Sequence, residues 1–404
     1  MSLRTARSLT IVIKLGTSSI CDETTHLPLL SNLSLVVETI VKLRSLGHKV
    51  VLVSSGAIGV GLRRLEMDKK PKKLSAVQAV AAVGQGRLMR MYDDLFSQLN
   101  QPIAQILLTR HDLAERTQYL NAVNTFVELL NMKVVPIVNE NDTISVSEIK
   151  FGDNDTLSAI TARMVNADYL FLMTDVDCLY TDNPRINSNA IPIKIVEDIG
   201  TLKDSLGTGG MVTKLIAADL ATAAGVTTII SKGSNPKNII KIINNLTQKD
   251  SDVESNVAVV EDVPLYTRFL AKEDPIKGHK WWILHGLHTA GKVYIDKGAA
   301  TAISKKGQKC SLFSAGIVKV QGNFSSNQAV HIVYENRPIK VGEQQQVDDV
   351  KDEKENHNVI NIGKGLVNYN SMEISRIKGC KSSEIAEKLG YTDSESQSIK
   401  EKVN

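Results

Sequence analysis

The chain has 404 residues, of which 42% are hydrophobic and 23% are charged. This length predicts two or three domains, and the proportions are ordinary for a globular protein. The net charge of +4 is too small to indicate a nucleic-acid-binding protein by itself. The four cysteines are too far apart for a zinc site or a CxxC motif, so we expect a reducing, cytoplasmic location without disulfides. No signal-peptide pattern and no apolar run of about 18 residues is present, so we expect no membrane attachment.

The first 260 residues alternate between short apolar runs and helical patterns. The apolar runs predict strands at 9–16, 49–55, 102–109, 134–141, 169–176 and 227–233. Apolar residues with helical spacing predict helices at 31–46, 74–99 and 117–131, and further helical patterns separate the last three strands. Strands separated by helices favour the α/β class, with a mostly parallel sheet sandwiched by helices.

The pattern changes near residue 250, where a polar stretch at 247–255 predicts a loop. Beyond residue 280, strand-like runs separated by glycine turns (WWILHG, GKVYID, GIVKVQG, AVHIVYE) predict a small β-rich domain. Residues 342–358 are polar and predict a mobile insertion in that domain. We therefore divide the chain into a first domain at 1–263, a linker at 264–278, a second domain at 279–395 and a fraying tail at 396–404.

Polar loops follow the predicted strands at what would be one edge of the sheet. Ligands bind beyond the carboxyl ends of the strands in an open parallel sheet. Such a loop is an ordinary turn when it occurs once, but several at one edge predict a site for a polar ligand. The loops are KLGTSS (14–19), SSGAIGVG (54–61), NENDT (139–143), FGDND (151–155) and TD (174–175).

Each loop also has a simpler interpretation. The glycines at 54–61 could serve only a strand-to-helix turn, and their order is the reverse of the dinucleotide fingerprint, which disfavours an oxidoreductase. Residues 139–143 could form a capped turn, and Asp155 could be only the N-cap of the helix that follows. Asp175 could lie in a surface turn, and the spacing around it does not continue into a calcium-binding EF-hand.

The stretch LGTGGMVTK at 206–214 opens a predicted helix that Gly225 is placed to end. Free N–H groups and the helix dipole favour an anion at that N-terminus, whereas they disfavour Lys214 by roughly 0.3–1 kcal/mol unless a phosphate is bound. The stretch lacks the GK[ST] of a P-loop, and a surface loop with a solvated lysine stays an alternative. The apolar residues with helical spacing are Val212, Leu215, Ile216, Leu220 and Ala223.

Together these motifs resemble the amino-acid kinase family, most closely its glutamate 5-kinases (γ-glutamyl kinases). Residues 281–286, 291–303 and 320–325 resemble the PUA domain attached to many of these enzymes. The insertion at 342–358 and the short loop before GTGG depart from the compact bacterial pattern and indicate a lineage variant. The matching stretches of the first domain are VIKLGTSS (12–19), VSSGAIGVG (53–61), AAVGQGRLM (81–89), QILLTR (105–110), VVPIVNENDT (134–143), EIKFGDNDTLSA (148–159), LMTDVDCLYTDNPR (172–185) and GTGGMVTKLIAAD (207–219).

The resemblance implies that ATP, with Mg²⁺, phosphorylates the γ-carboxylate of L-glutamate in the first step of proline biosynthesis. It also implies inhibition by proline, a homodimer or homotetramer, and functional coupling to the next enzyme of that pathway. It names no protein ligand of the metal. The glutamate contacts that it implies are Ser55, Gly56, Asp142 and Asn154. The ATP contacts that it implies are Lys14, Thr174, Asp175, Thr208, Gly209, Gly210, Met211, Val212, Thr213 and Lys214.

The chemistry of this reaction needs positive charge rather than a general base. A γ-carboxylate with an ordinary pKa of about 4.3 is already ionised at pH 7. Phosphoryl transfer then requires alignment and charge neutralisation, for which Lys14 and Lys214 are the catalytic candidates. Asp142 suits the substrate ammonium. Asp153 and Asp155 are candidates to orient the lysines or to contact the metal through water, and we assign the organising role to Asp153.

Two other functions stay open. Another amino-acid kinase, such as an aspartokinase, would share the first domain, although the β-rich second domain argues against it. An RNA-binding protein is the less favoured alternative, because a solvated basic face is the commoner explanation of lysine-rich surfaces. It is suggested by eight lysines and one acidic residue between 276 and 320, with Trp281 and Trp282 near the start of that region.

Overall fold

The chain forms two compact units, Met1–Ile276 and Lys277–Asn404, so the boundary falls within the predicted linker at 264–278. The predicted insertion at 342–358 lies outside the residues that the structure describes. The computed structural model describes residues 7–145, 154–202, 210–249, 263–273, 275, 278–287, 289–304, 312–326, 328–335, 359–389 and 402–403.

The first unit is built on an eight-stranded sheet. Its strands are β1 (Thr10–Leu15), β2 (Lys49–Ser54), β3 (Ile103–Leu108), β4 (Val135–Glu140), β5 (Tyr169–Thr174), β8 (Ile195–Val196), β9 (Thr227–Lys232) and β10 (Thr267–Phe269), while β6 (Leu179–Tyr180) and β7 (Pro192–Ile193) pair separately. The order is β3-β4-β2-β1-β5-β9-β10-β8, and all pairs are parallel except β9 with β10. Residues 267–269, which the sequence assigned to the linker, thus form a strand that is too short for a periodic pattern to reveal.

Helices follow the strands as the alternating pattern predicts. They are α1 (Leu30–Ser45), α2 (Ala57–Arg64), α3 (Leu74–Ser97), α4 (Arg110–Ala114), α5 (Arg116–Asn131), α6 (Asn154–Met164), α7 (Gly210–Ala223) and α8 (Asn238–Lys249). The last of these runs into the predicted loop at 247–255, so the start of that stretch is helical. Among the described residues, no helix combines the length and the apolarity needed to cross a bilayer.

Helix α7 is the helix predicted to open at 206–214, and it buries only part of the apolar face expected, including Ala223. Gly225 follows it with φ +84°, a left-handed conformation that suits a helix end. Leu215 is buried, but Val212 and Ile216 are 39% and 45% exposed. The buried face is rich in alanine, because the small side chains let α7 pack closely, and periodicity alone did not reveal this.

The core of the first unit is mostly aliphatic, in keeping with the low aromatic content of 4%. Ile11, Ile13 and Leu15 of β1 are fully buried and pack in one cluster with residues of α1, α3 and α8. Near-continuous apolar strands are typical of a parallel sheet that helices cover on both faces. A polar side chain inside such a strand is therefore conspicuous, and Lys14 occupies that position in β1.

Helices α2 and α3 pack with their backbones in close contact. A Cβ atom added to Gly84 would lie 1.7 Å from the carbonyl oxygen of Ala57, and one added to Gly61 would lie 2.1 Å from that of Val80. Any larger side chain at either position would push the helices apart. This contact fixes the start of α2, and with it the polar loop that precedes the helix.

We expect Gly84→Ala to lower the free energy of unfolding by about 3 kcal/mol, because the added methyl group overpacks the contact between α2 and α3. Urea denaturation measures the change. Gly86→Ala is the matched control on the same helix, where an added Cβ meets nothing within 4 Å. At Gly86 the better helix propensity of alanine should raise the free energy of unfolding slightly. If both substitutions lowered the free energy of unfolding equally, the close contact between α2 and α3 at Gly84 would not be the cause.

The second unit is a small β-rich domain, as the sequence predicts. Its strands form one sheet in the order β12-β11-β13-β14-β15, where the strands are β11 (Thr289–Ile295), β12 (Ile317–Gln321), β13 (Ala329–Glu335), β14 (Val359–Leu366) and β15 (Lys402–Val403). The helices are α9 (Gly278–Trp281), α10 (Lys297–Ser304), α11 (Ser371–Ile377) and α12 (Ile385–Leu389).

Two predictions for the second unit are wrong. WWILHG is helical rather than a strand, since Trp281 ends α9 and Trp282–Gly286 form a π-helical turn. Both tryptophans are buried, and a short apolar run does not distinguish a strand from a buried helix. The tail at 396–404 does not fray throughout, because Lys402–Val403 pair with β14. The open edge of that strand offers backbone groups that a terminal segment can satisfy.

Candidate active site

A buried ion pair lies at the carboxyl edge of the central strands. Lys14, near the end of β1, pairs with Asp155 in the first turn of α6. Their side chains are only 6% and 1% exposed. Charges this deeply buried are costly unless they are paired, so their retention suggests a role beyond stability.

Lys214 joins this pair from α7. Its Nζ lies 3.4 Å from Asp155 Oδ2 and 3.1 Å from the carbonyl oxygen of Gly210. Thr213 donates a hydrogen bond of 2.9 Å to the same carboxylate oxygen. Asp155 therefore bridges two lysines that come from different elements, and it offsets the unfavourable position of Lys214 near the N-terminus of α7.

The carboxylate of Asp155 stays ionised in this setting. Burial by itself raises the pKa of Asp155, but the charges of Lys14 and Lys214 and the hydrogen bond from Thr213 outweigh it, so the pKa falls below its ordinary value. The interpretation of Asp155 as only an N-cap is wrong, because α6 begins at Asn154 and the Asp155 side chain contacts the lysines. Asp153 lies outside the described residues, and its organising role stays a prediction.

Asn154 anchors a second polar group beside the ion pair. Its side-chain NH₂ lies 3.0 Å from the carbonyl oxygen of Ser54, 3.0 Å from Ser55 Oγ and 2.9 Å from Asn139 Oδ1. Asn139, which is 2% exposed, in turn donates to Gln85 Oε1 at 2.8 Å. The network fixes the orientation of Asn154 through β2, β4 and α3. Gln85 is not among the site residues that the sequence predicts. The one feature that could have indicated it is its polar side chain within the stretch AAVGQGRLM.

A cavity of about 540 Å³ opens on the side of Asn154. Gly56 has φ +91° and directly precedes α2, so the backbone N–H groups at the start of that helix lie beside the cavity. The structure thus brings together the four residues expected to bind glutamate. The residues that line it include Ser55, Gly56, Asn139, Glu140, Asp142 and Asn154.

A second cavity of about 540 Å³ opens on the side of Lys214. Thr174 and Asp175 line it and are joined by a hydrogen bond of 3.0 Å, and Asp175 also pairs with Arg185 at 2.6 Å. Gly210, Met211 and Lys214 of α7 also line this cavity.

Three described residues expected at the nucleotide, Lys14, Val212 and Thr213, do not line this cavity, and Lys14 instead pairs with Asp155. Val212 is 39% exposed on α7, and Thr213 points to Asp155 instead. Thr208 and Gly209 lie outside the described residues, so their contacts stay predictions.

The described residues at the carboxyl edge of the sheet provide neither a reactive cysteine nor a preformed cluster of metal ligands. Cys21 lines the first cavity, but burial, together with Asp22 and Glu23, raises the pKa of its thiol to about 11. It is therefore protonated at neutral pH. The described residues bring together no group of three or more His, Cys, Asp or Glu side chains that could hold a metal ion.

Known families match both units. Residues 9–232 match the model of the amino acid kinase family, and residues 291–389 match that of the PUA domain. A probable glutamate 5-kinase of Schizosaccharomyces pombe is 56% identical over 98% of this chain and 92% of its own length. Glutamate 5-kinases of Cyanothece sp. and Nostoc punctiforme are 47% and 46% identical, each over 96% of both chains.

These matches confirm the fold class and the two domain types that the sequence predicts. They run over nearly the full length of the chain and its relatives, so both units belong to the shared architecture. The chain belongs to the amino acid kinase family and carries a PUA domain in its second unit.

Proposed function

We propose that this protein is a glutamate 5-kinase, which transfers the γ-phosphoryl group of ATP to the γ-carboxylate of L-glutamate. The observation that carries the proposal is the buried cluster of Lys14, Asp155 and Lys214 between two cavities of about 540 Å³ each. The names of the relatives at 46–56% identity support the same reaction.

The cluster lies where a phosphoryl group would pass between the two cavities. Lys214 lines the second cavity, and Asn154, next to Asp155 in the chain, lines the first. A carboxylate in the first cavity and a triphosphate in the second would meet at the lysines. Two ammonium groups in a site with little water would stabilise the negative charge that spreads over the transferred group.

The first cavity has the groups that glutamate requires. Asp142 and Glu140 offer carboxylates to the substrate ammonium, while Ser55, held by Asn154, and the N–H groups at the start of α2 are donors for carboxylate oxygens. The attacking γ-carboxylate is ionised at neutral pH and needs no base. The task of the protein is therefore to align it with the phosphate and to neutralise charge.

The second cavity is suited to the nucleotide and its metal. Mg²⁺ keeps most of its waters and uses one or two carboxylates together with the phosphates, so a site without a cluster of acids is compatible with it. Asp175 is the carboxylate we propose for this contact, since it lines the cavity and its side chain is 51% exposed. Bound Mg²⁺ would neutralise phosphate charge.

The direct test is an ATP-dependent assay of the purified protein with Mg²⁺ and L-glutamate, in which hydroxylamine traps the acyl phosphate as a hydroxamate. We expect hydroxamate that depends on both substrates. Turnover with aspartate but not with glutamate would keep the kinase fold and reassign the substrate to that of an aspartokinase.

Further parts of the proposal are inhibition by proline, assembly into a dimer or tetramer, functional coupling to the next enzyme of proline synthesis and a cytoplasmic location. Proline, like glutamate, has an α-carboxylate and a cationic α-nitrogen. We therefore expect it to compete with glutamate for the residues that bind these two groups. Adding proline to the hydroxamate assay tests the inhibition, and light scattering tests the assembly.

RNA binding by the second unit is the less favoured function. One observation supports it: Lys292 and Lys319 lie on the paired strands β11 and β12 and are both exposed, which places positive charge on this sheet. RNA binding in a gel-shift assay that weakens steeply with salt concentration would favour this function. RNA binding that does not depend on salt would argue against it.

We expect Asp142→Ala to raise the KM for glutamate at least tenfold while the KM for ATP changes less than twofold. Loss of a charge-assisted contact to the ammonium costs about 1.5–3 kcal/mol, and the nucleotide lies in the other cavity. Steady-state kinetics with each substrate varied in turn measures both constants. Equal increases in the two constants would remove Asp142 from the glutamate site.

A further inference from the structure

The cavity proposed for glutamate has acidic walls. Four carboxylate side chains line it: Asp22, Glu23, Glu140 and Asp142. Glutamate carries one ammonium group but two carboxylates. The acids suit the ammonium, whereas they repel any carboxylate that no cation accompanies.

In the proposed reaction the γ-carboxylate of glutamate lies next to the lysines of the buried cluster, whereas the α-carboxylate has no such cation beside it. Lys14 and Lys214 do not line this cavity. Both carboxylates cannot reach the cluster at once, because they lie at opposite ends of glutamate and the γ-carboxylate must face the nucleotide. The neutral donors of the cavity do not offset the charge of its four acids, whereas a cation within the cavity would.

We propose that Lys70 binds the α-carboxylate of glutamate and so determines specificity for an α-amino dicarboxylate. This inference rests on the proposed function. Lys70 is the only lysine or arginine among the described residues that line the cavity. In the part of the chain that the structure describes, it has no ion pair or side-chain hydrogen bond, so its charge is available to a ligand.

The position of Lys70 is set by the fold. It lies on the connection between α2 and α3, the two helices held in backbone contact at Gly61 and Gly84. The cavity is lined along α2 by Gly56, Ala57 and Leu62, and Lys70 on the connection that follows α2 lines it too. Lys69, the preceding residue, does not line it, although it too is exposed.

The substrate can be altered at one group to isolate this contact. L-glutamate α-amide keeps the ammonium and the γ-carboxylate but has no α-carboxylate. A variant that lacks the Lys70 charge should therefore lose affinity for glutamate and not for the amide. A merely structural role of Lys70 would affect both substrates equally.

The experiment compares Lys70→Gln, Lys70→Arg and the control Lys69→Gln in the hydroxamate assay, with glutamate and with its α-amide. We expect Lys70→Gln to raise the KM for glutamate about tenfold, the factor that one charge-assisted contact provides. The KM for the amide, the KM for ATP and kcat should change less than twofold. Lys70→Arg should restore most of the affinity for glutamate, and Lys69→Gln should behave as the wild type.

The role of Lys70 is overturned if Lys70→Gln leaves the KM for glutamate unchanged, or if it raises the KM for glutamate and for the amide to the same extent. Neither result overturns the proposed function. Calorimetric titration of glutamate into the wild-type protein separates this from failure of the proposed function. A wild-type protein that neither binds nor phosphorylates glutamate would overturn both proposals, whereas an active wild type with an insensitive Lys70 variant leaves the function in place.

Discussion

Asp155→Asn is expected to lower kcat on the order of 10³-fold, because it removes the carboxylate that holds Lys14 and Lys214 at the meeting point of the two cavities. An asparagine of the same size keeps a hydrogen-bonding oxygen but not the charge. Both ammonium groups would then repel each other without a common partner. Single-turnover measurement with saturating ATP and glutamate reports this loss free of product release.

The same substitution is expected to destabilise the fold. Lys14 has a side chain that is 6% exposed, and leaving a buried charge without its partner costs about 3–5 kcal/mol. Urea unfolding measures this change. Asp94→Asn is the matched control, since Asp94 pairs with Arg90 on the surface with a side chain that is 68% exposed. The control should change neither kcat nor stability appreciably, and a silent Asp155→Asn would contradict the central role of this carboxylate.

The pH dependence of stability has a definite sign. The pKa of Asp155 is lowered in the folded protein, so its ionised form stabilises the fold above the ordinary pKa of about 3.9. This stabilisation is lost as the pH falls from that value through the lower folded pKa. The wild type should therefore lose more stability than Asp155→Asn on acidification below about pH 4.

The second large effect is expected for Lys14→Met. Methionine keeps most of the apolar stem within β1 but removes the charge next to the transferred group. We expect kcat to fall roughly 10²–10³-fold, which corresponds to about 3–4 kcal/mol of lost transition-state stabilisation. The fold should tolerate it better than Asp155→Asn, because Asp155 keeps its contacts with Lys214 and Thr213.

Lys232→Met is the control for Lys14→Met. Lys232 ends β9 at the same edge of the sheet, but its side chain is 41% exposed and pairs with Asp177 at 3.2 Å. A surface pair of this kind contributes about 0–1 kcal/mol, so kcat should stay within a few-fold of the wild type. If the two methionine variants lost activity to the same extent, the effect would reflect the general positive charge of this edge and not the buried cluster.

The sequence by itself determined the order of the main elements and the side of the sheet on which the site lies. Long runs such as Ile11 to Leu15 specify buried parallel strands, because few other structures bury every residue of such a segment. The polar loops after these strands predict a site, since parallel strands place their carboxyl ends together. The motifs around 139–143, 152–155 and 207–214 were specific enough to indicate the family.

Only the tertiary structure showed that Asp155 contacts both lysines. Asp153 and Asp155 have the same chemistry and nearly the same place in the sequence, and local patterns do not distinguish them. The start of α6 at Asn154 turns Asp155 towards Lys14, a residue far away along the chain. The helical WWILHG and the strand β10 were likewise decided by packing, because short segments take the conformation that buries their side chains against distant neighbours.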